Sequence, residues 1–291
     1  TMNFFNFRIT AKIEADMIEI PEAVTLSKQI EATVLQKTIT NVIVNTSPHK
    51  FAFFFDDPAR YPDRLFHKKF LKAEAIAGFV QISCDNLRLL FNDGVNIRYL
   101  AEGNPVPQKH QLHIQLEDHS SIVCTVQMYG GLWLFQDGEN ESPYYITAME
   151  KPSPLSDAFN FIYFQKILHN TKQTLSAKAF LATEQRIPGL GNGCLQDILF
   201  NAQVNPRTKI ENLSAADIER LYTSLKTTLR EMTELGGRNT EKDLFGQSGR
   251  YQTRLSSLTF QNPCPNCGNQ IIKQAYLGGS VYFCPTCQPE V

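Results

Sequence analysis

Cys264-Pro-Asn-Cys267 and Cys284-Pro-Thr-Cys287 close this chain, with sixteen residues between the two pairs. Two Cys-x-x-Cys knuckles at that separation set four thiolates around one tetrahedral ion, and soft sulfur in that geometry selects zinc. All four ligand places are filled by protein, so no place is left for water and the Zn2+ is structural. A pair of disulfides is the alternative for the same spacing. Gly268 permits the turn that aims backbone N–H groups at sulfur. Gln270–Tyr276 and Ser280–Phe283 read as short strands around Leu277-Gly278-Gly279. The last module, residues 260–291, is therefore expected to be a metal-holding β-hairpin.

Working outward, the whole chain has 291 residues, 42 % of them hydrophobic and 20 % charged, enough to build real cores. Cys84, Cys124 and Cys194 are scattered in apolar contexts, which fits buried free thiols and a reducing compartment. No run of 18 apolar residues exists, so no membrane span is expected. The opening Thr1–Arg8 is too short in apolar residues for a signal peptide. The formal net charge is −1, so any nucleic-acid site has to be a local patch on a near-neutral protein.

Residues 1–16 read as an extension or tag ahead of Met17. Pro21-Glu22 opens a helix with Val24, Ile30 and Leu35 among its apolar positions. From 38 to 135 the pattern changes to period two. Strands are expected at Thr38–Val44, Phe51–Phe55, Ala75–Ile82, Leu87–Phe91, Val95–Leu100, Leu112–Leu116, Ile122–Gln127 and Leu132–Phe135. Asn92-Asp93-Gly94 reads as a turn between two of them. Many short antiparallel strands imply a β-sandwich over 17–150. Lys151–Ser156, with two prolines, is a linker into helical periodicity. Helices are expected at Asp157–His169, at Ser176–Glu184 with Ser176 as cap, through Asp197–Gln203, and at Ser214–Leu235 with Ser214 and Asp217 as cap pair. Gly236-Gly237 stops the last one, and 238–259 reads as a polar loop.

Ile187-Pro-Gly-Leu-Gly-Asn192-Gly193 lies between two of these helices. Its glycines allow a sharp turn and close approach of a ligand, and N–H groups ahead of a helix make a phosphate site. The alternative is a plain interhelix turn. Taken with the metal hairpin, this chain resembles the formamidopyrimidine-DNA glycosylase/endonuclease VIII family of helix–two-turn–helix repair enzymes. The anchors are Met17–Glu22, Lys109-His110, Gly131-Leu-Trp133, Gln185–Phe200, Gly236-Gly237 and the four cysteines ending at Gln288. The resemblance implies an α+β multidomain fold: a β-sandwich, a helix–two-turn–helix domain over 151–259, and a four-cysteine zinc finger. It implies double-stranded DNA, damaged or abasic, as partner, a monomer, no membrane, and a bacterial-type cytoplasmic, nucleoid-associated setting. Family members flip a damaged base and attack the sugar with the α-amine of an N-terminal residue, usually proline. Glu19 then falls on the glutamate that handles protons, and Ile18 on the nucleophile.

The sequence departs from the family at the chemistry. Ile18 replaces proline, and Ile76–Val80 lacks the expected lysine. Gly279 stands at the fingertip arginine, and Met128-Tyr129-Gly130 at the wedge that fills the hole behind a flipped base. The DNA contacts implied are Asn192, Gly191, Gly189, His110, Met128 and Tyr129. Glu19 has the plainer reading of a carboxylate at a helix start, Asn192 of a turn residue, and His110 of a structural strand-edge histidine. Arg238, Lys242, Arg250 and Arg254 lie, by the resemblance, in a loop that closes over flipped bases in some family members; the plainer reading is a solvated charge run. Three functions stay in view: a glycosylase with altered AP-lyase chemistry working without the usual proline, either by Glu19 activating water or by an Ile18 or Met17 α-amine exposed in a differently processed chain; a non-catalytic nucleic-acid-binding module; and a zinc ribbon that docks protein through Tyr276 and Val281–Phe283.

Overall fold

The structure is a computed structural model that describes residues 17–291; the segment 1–16 lies outside the described residues. Helix α1 (Ile20–Val34) starts where Pro21 presets the first turn and the Glu22 carboxylate accepts the Glu19 N–H at 3.2 Å. It buries Ala23, Leu26, Ile30 and Val34 against a sheet. That sheet comprises β1 (Ile39–Val44), β2 (Ala52–Phe54), β3 (Lys72–Ile76), β4 (Phe79–Cys84), β5 (Leu87–Leu100), β6 (Leu112–Leu116) and β7 (Ser121–Gln136). Its order is β1-β6-β7-β5-β4-β3, with β2 added in parallel to β7. The two long strands each serve both halves. The first part of β5 pairs with β4 and the end of β7, and its last part pairs with the start of β7. Side chains from both halves, such as Ile39 and Ile114 on one and Ala73 and Ile82 on the other, meet in one core. This is the sandwich expected from the alternation.

Three strand boundaries differ from the sequence reading. Ala75–Ile82 is a hairpin rather than one strand, because Ala77 takes φ 54 and turns β3 into β4 at Gly78. Asn92-Asp93-Gly94 does not end a strand; it is a bulge inside β5, with the register shifting between Asp93 and Val95. Ile122–Gln127 and Leu132–Phe135 are one continuous strand, β7.

A short helix α2 (Tyr61–Leu65) covers the sheet, and α3 (Pro143–Glu150), unforeseen in the sequence, leads into the linker. The helical module holds α4 (Phe161–His169), α5 (Ala177–Ala182), α6 (Asn192–Asn201) and α7 (Ala215–Glu234). The capping residues read from the sequence cap: Ser176 accepts the Ala179 N–H, and Ser214 pairs reciprocally with Asp217. Helix α4 begins later than expected, at the cap Asn160. Gly236 and Gly237, at φ 75 and 95, end α7.

The segment 238–256 is not a solvated loop. Leu244 is fully buried in the sandwich core, and its N–H is held by Gln29 Oε1 at 3.0 Å. At the far end Asp197 accepts the N–H groups of Arg254 and Leu255, both at 2.8 Å. The segment is a strap that joins the helical module to the sandwich. Beyond it, β8 (Ile272–Tyr276) and β9 (Gly279–Phe283) form the terminal hairpin. Val281, Tyr282 and Phe283 are buried, with Tyr282 packed on Phe200, Leu255 and Ile271, so they offer no docking surface for another protein.

Candidate functional site

Glu19 sits where the modules meet. Its Oε2 accepts the N–H groups of Gly191 (2.9 Å) and Cys194 (3.0 Å), and Oε1 accepts the Gly193 N–H (2.8 Å). These are orphan donors at the start of α6, and a carboxylate there also complements the helix dipole. A fourth donor, Arg238 Nη1, reaches Oε1 at 3.2 Å. Glu19 is 5 % exposed and its acceptor positions are filled. The carboxylate expected to handle protons thus ties α1 to α6.

Arg238, from the strap, is 2 % exposed, against the sequence reading of a solvated arginine. Its Nε and Nη2 each donate to Glu22 at 3.0 Å, its Nη2 donates to Met17 O at 3.2 Å, and Glu241 Oε1 lies 3.6 Å away. Burial opposes its charge, but the surrounding carboxylates of Glu19, Glu22 and Glu241 prevail and raise its pKa above the ordinary arginine value. The Met17 N–H goes to Glu241 Oε2 at 2.7 Å. Gly193 is required by this packing, since a Cβ there would fall inside the guanidinium.

The other residues singled out in the sequence have mixed fates. Ile18 is buried, and its peptide N–H is donated to Asp93 O at 2.8 Å. Gly189 (φ 77) lies backbone to backbone against Gly78, and its carbonyl accepts the Ile20 N–H. The N–H groups of Leu190 and Gly191, which a phosphate was expected to take, go to Ile187 O and Glu19. The turn at 187–193 is therefore packed as a joint. Asn192 donates from Nδ2 to Ser280 O at 2.9 Å, beside Gly279 of the hairpin, and its Oδ1 is buried with no partner among the described residues. His110 is buried with Nδ1 on Pro107 O and Nε2 on Thr46 Oγ1, so both ring nitrogens are engaged within the sandwich.

On the sandwich side of Ile18, Asp93 and Tyr129 are half-buried. Asp93 takes φ 51 at the β5 bulge, opposite Gly130 of β7. Its side chain is half-buried, and loss of hydration pushes its carboxyl up to about 6. Tyr129, on β7, has its hydroxyl pushed up to about 12, by burial first and then by the charges of Asp93 and Glu19. Tyr144, on α3, is raised by burial and by Asp93. Met128 is half-exposed on the same strand. The charges of Asp93 and Glu19 both act on Tyr129, and that of Asp93 on Tyr144; Asp93 and Tyr144 were missed in the sequence reading. The signal was present in Asn92-Asp93-Gly94, but a bulge and a turn use the same residues.

The terminal hairpin presents Cys264, Cys267, Cys284 and Cys287 with all sulfurs within 4.8 Å of one another, a set able to hold a metal ion. Lys178 of α5, 4 % exposed, donates to Tyr276 O at 2.6 Å and fastens the hairpin to the helices. Desolvation lowers its ammonium to about 8.

Residues 151–243 match the family model described as the formamidopyrimidine-DNA glycosylase H2TH domain. Formamidopyrimidine-DNA glycosylase from Bacillus cereus is 28 % identical over 289 residues, covering 94 % of this chain and all of that protein. The Thermus thermophilus enzyme of the same name is also 28 % identical, over 94 % of this chain and 99 % of its own. The crystal structure of the Thermus thermophilus MutM (Fpg) protein superposes with a TM-score of 0.77 at 25 % identity, covering 94 % of this chain and 99 % of that one. Lactococcus lactis Fpg in complex with DNA containing an abasic site gives 0.80 at 21 % identity, over 94 % and 100 % of the two chains.

Proposed function

The chain belongs to the formamidopyrimidine-DNA glycosylase/endonuclease VIII family, and from that premise we propose that it is a damaged-DNA glycosylase of base-excision repair that releases bases without an amine nucleophile at Ile18. The observation that carries this reading is the junction itself. Glu19 docks α1 on the start of α6, and Asn192 docks α6 on the hairpin, so α1, the helical module and the hairpin are tied to one another. Within this chain the Ile18 nitrogen is a peptide N–H bonded to Asp93 O, its lone pair delocalised into the Met17 carbonyl and without the basicity a Schiff base needs. Hydrolytic release by water is then the route the geometry supports. The half-exposure of Met128 and Tyr129 on β7 supports assigning them to an unstacked base or the gap behind it.

Zinc is the metal that fits the hairpin. A four-sulfur tetrahedron at zinc–sulfur lengths near 2.3 Å has edges of about 3.8 Å. The sulfur pairs Cys264–Cys287 and Cys267–Cys284 lie 3.8 and 3.5 Å apart. With every ligand supplied by protein, its work is to hold the hairpin where Asn192 and Lys178 meet it.

The test is single-turnover incubation with duplexes carrying one oxidised or ring-opened base, with and without borohydride. The expected result is release of free base with no borohydride-trapped complex. A trapped adduct would return the chemistry to an amine. Absence of base release, together with equal affinity for damaged and intact duplex, would make the protein a non-catalytic binding module. Metal analysis is expected to give one zinc per chain, and chelation to abolish DNA binding.

A further inference from the structure

We propose that Asp93 is the general base of this site, taking the proton from the water that attacks the sugar when a base is released. The inference rests on the glycosylase reading above and names the residue that performs it. Asp93 is placed by its backbone rather than by its side chain. Its carbonyl accepts the Ile18 N–H, and the bulge at Asp93 and Val95 is fixed against β7, where a Cβ at Gly130 would press on Val95. The main chain is therefore held on both sides, at φ 51, while the carboxylate has no hydrogen-bond or ion-pair partner among the described residues. A half-buried carboxylate left unpaired on a rigid strand is costly to maintain, and such groups persist at functional sites.

The neighbours suit the task. The groups that face Asp93 electrostatically are Tyr129 from β7 and Tyr144 from α3, and Tyr129 in turn senses Glu19 at the start of α1. Both phenols stay protonated near neutrality. No lysine or arginine among the described residues pairs with Asp93 to quench its basicity. Its carboxyl, pushed up to about 6, is mostly ionised at pH 7 yet basic enough to accept a proton. Glu19 cannot substitute, because its acceptor positions are filled. In the step, a C1′–O bond forms from water and the C1′–N bond breaks, its electron pair leaving with the base. The proton lost by the water passes to Asp93, and the departing base takes up one proton, so the net reaction is hydrolysis.

Asp93→Asn is the informative variant, because asparagine is among the few residues at ease with φ near +50° and keeps the backbone bond to Ile18. On lesion duplexes under single-turnover conditions, the parent rate is expected to rise with pH through a midpoint near 6 and then level off. In Asp93→Asn the plateau is expected to fall about a hundredfold and the midpoint to vanish. Affinity for a duplex holding a non-cleavable abasic analogue should stay within about threefold of the parent. Base release by the parent with an unchanged rate or midpoint in Asp93→Asn overturns this assignment and leaves the glycosylase reading standing. No base release by the parent from any lesion duplex overturns both. A merely structural role for Asp93 would shift stability without removing the pH midpoint.

Discussion

Glu19 and Asp93 flank Ile18 in opposite surroundings. Glu19 accepts three N–H groups and an arginine, and belongs to a sealed cluster with Glu22, Glu241 and Arg238. Asp93 has a backbone fixed by Ile18 and by β7, and a carboxylate with nothing to hold. One carboxylate is spent on joining modules, and the other is left available to a ligand. Identity of side chain does not separate these roles; the count of donors already in place does.

The comparison breaks most visibly at Arg238. Arg238→Met should strand three buried carboxylates and lower unfolding free energy by about 3–5 kcal/mol, measured by urea titration. A loss below about 1 kcal/mol would show that the cluster is not what seals the joint. Gly193→Ala should come next, at about 3 kcal/mol, since the added methyl occupies the guanidinium's place. Because both changes expel the same contact, the double variant should cost far less than the sum, and additivity would refute the shared cause.

Asp93→Asn should move the other way. Its folded-state carboxyl binds the proton more tightly than the unfolded chain does, so folding stability falls as pH rises from about 4 to about 6. Removing the charge is therefore expected to add about 2 kcal/mol above pH 6 and nothing below pH 4, read from thermal unfolding at pH 8 and pH 4. A loss of stability at pH 8 would mean that the carboxylate has a partner after all. The smallest effect belongs to Asn192→Ala, which removes one bond to Ser280 and should cost about 1 kcal/mol. It should weaken binding to all duplex sequences alike, by loosening the hairpin; a sequence-selective loss in a binding titration would contradict that.

What was legible in the sequence was what local chemistry determines. Ser176, the Ser214–Asp217 pair and Gly236-Gly237 mark helix ends because their effects act within a turn or two. The cysteine spacing specifies a cage because its ligands lie on one hairpin. The strand pattern gave the sandwich but not its bends, since the bulge at Asp93 depends on how β7 runs beside it. Arg238 read as solvated because the carboxylates that bury it lie 216 and 219 positions away. The turn at 187–193 offered backbone donors, and nothing local said that Glu19, from the other end of the chain, would already hold them.

That distance has a consequence during synthesis. A chain emerging from the ribosome can build the sandwich strands long before Arg238 and Leu244 exist, yet α1 finds its charge partner only through the strap. Until then Glu19 and Glu22 are carboxylates without a guanidinium to meet them. Closing a loop of that length is slow, and the contacts that reward it come last. The site is thus assembled as a final act, and a product truncated ahead of Arg238 carries the strands without the joint that ties α1 to the strap.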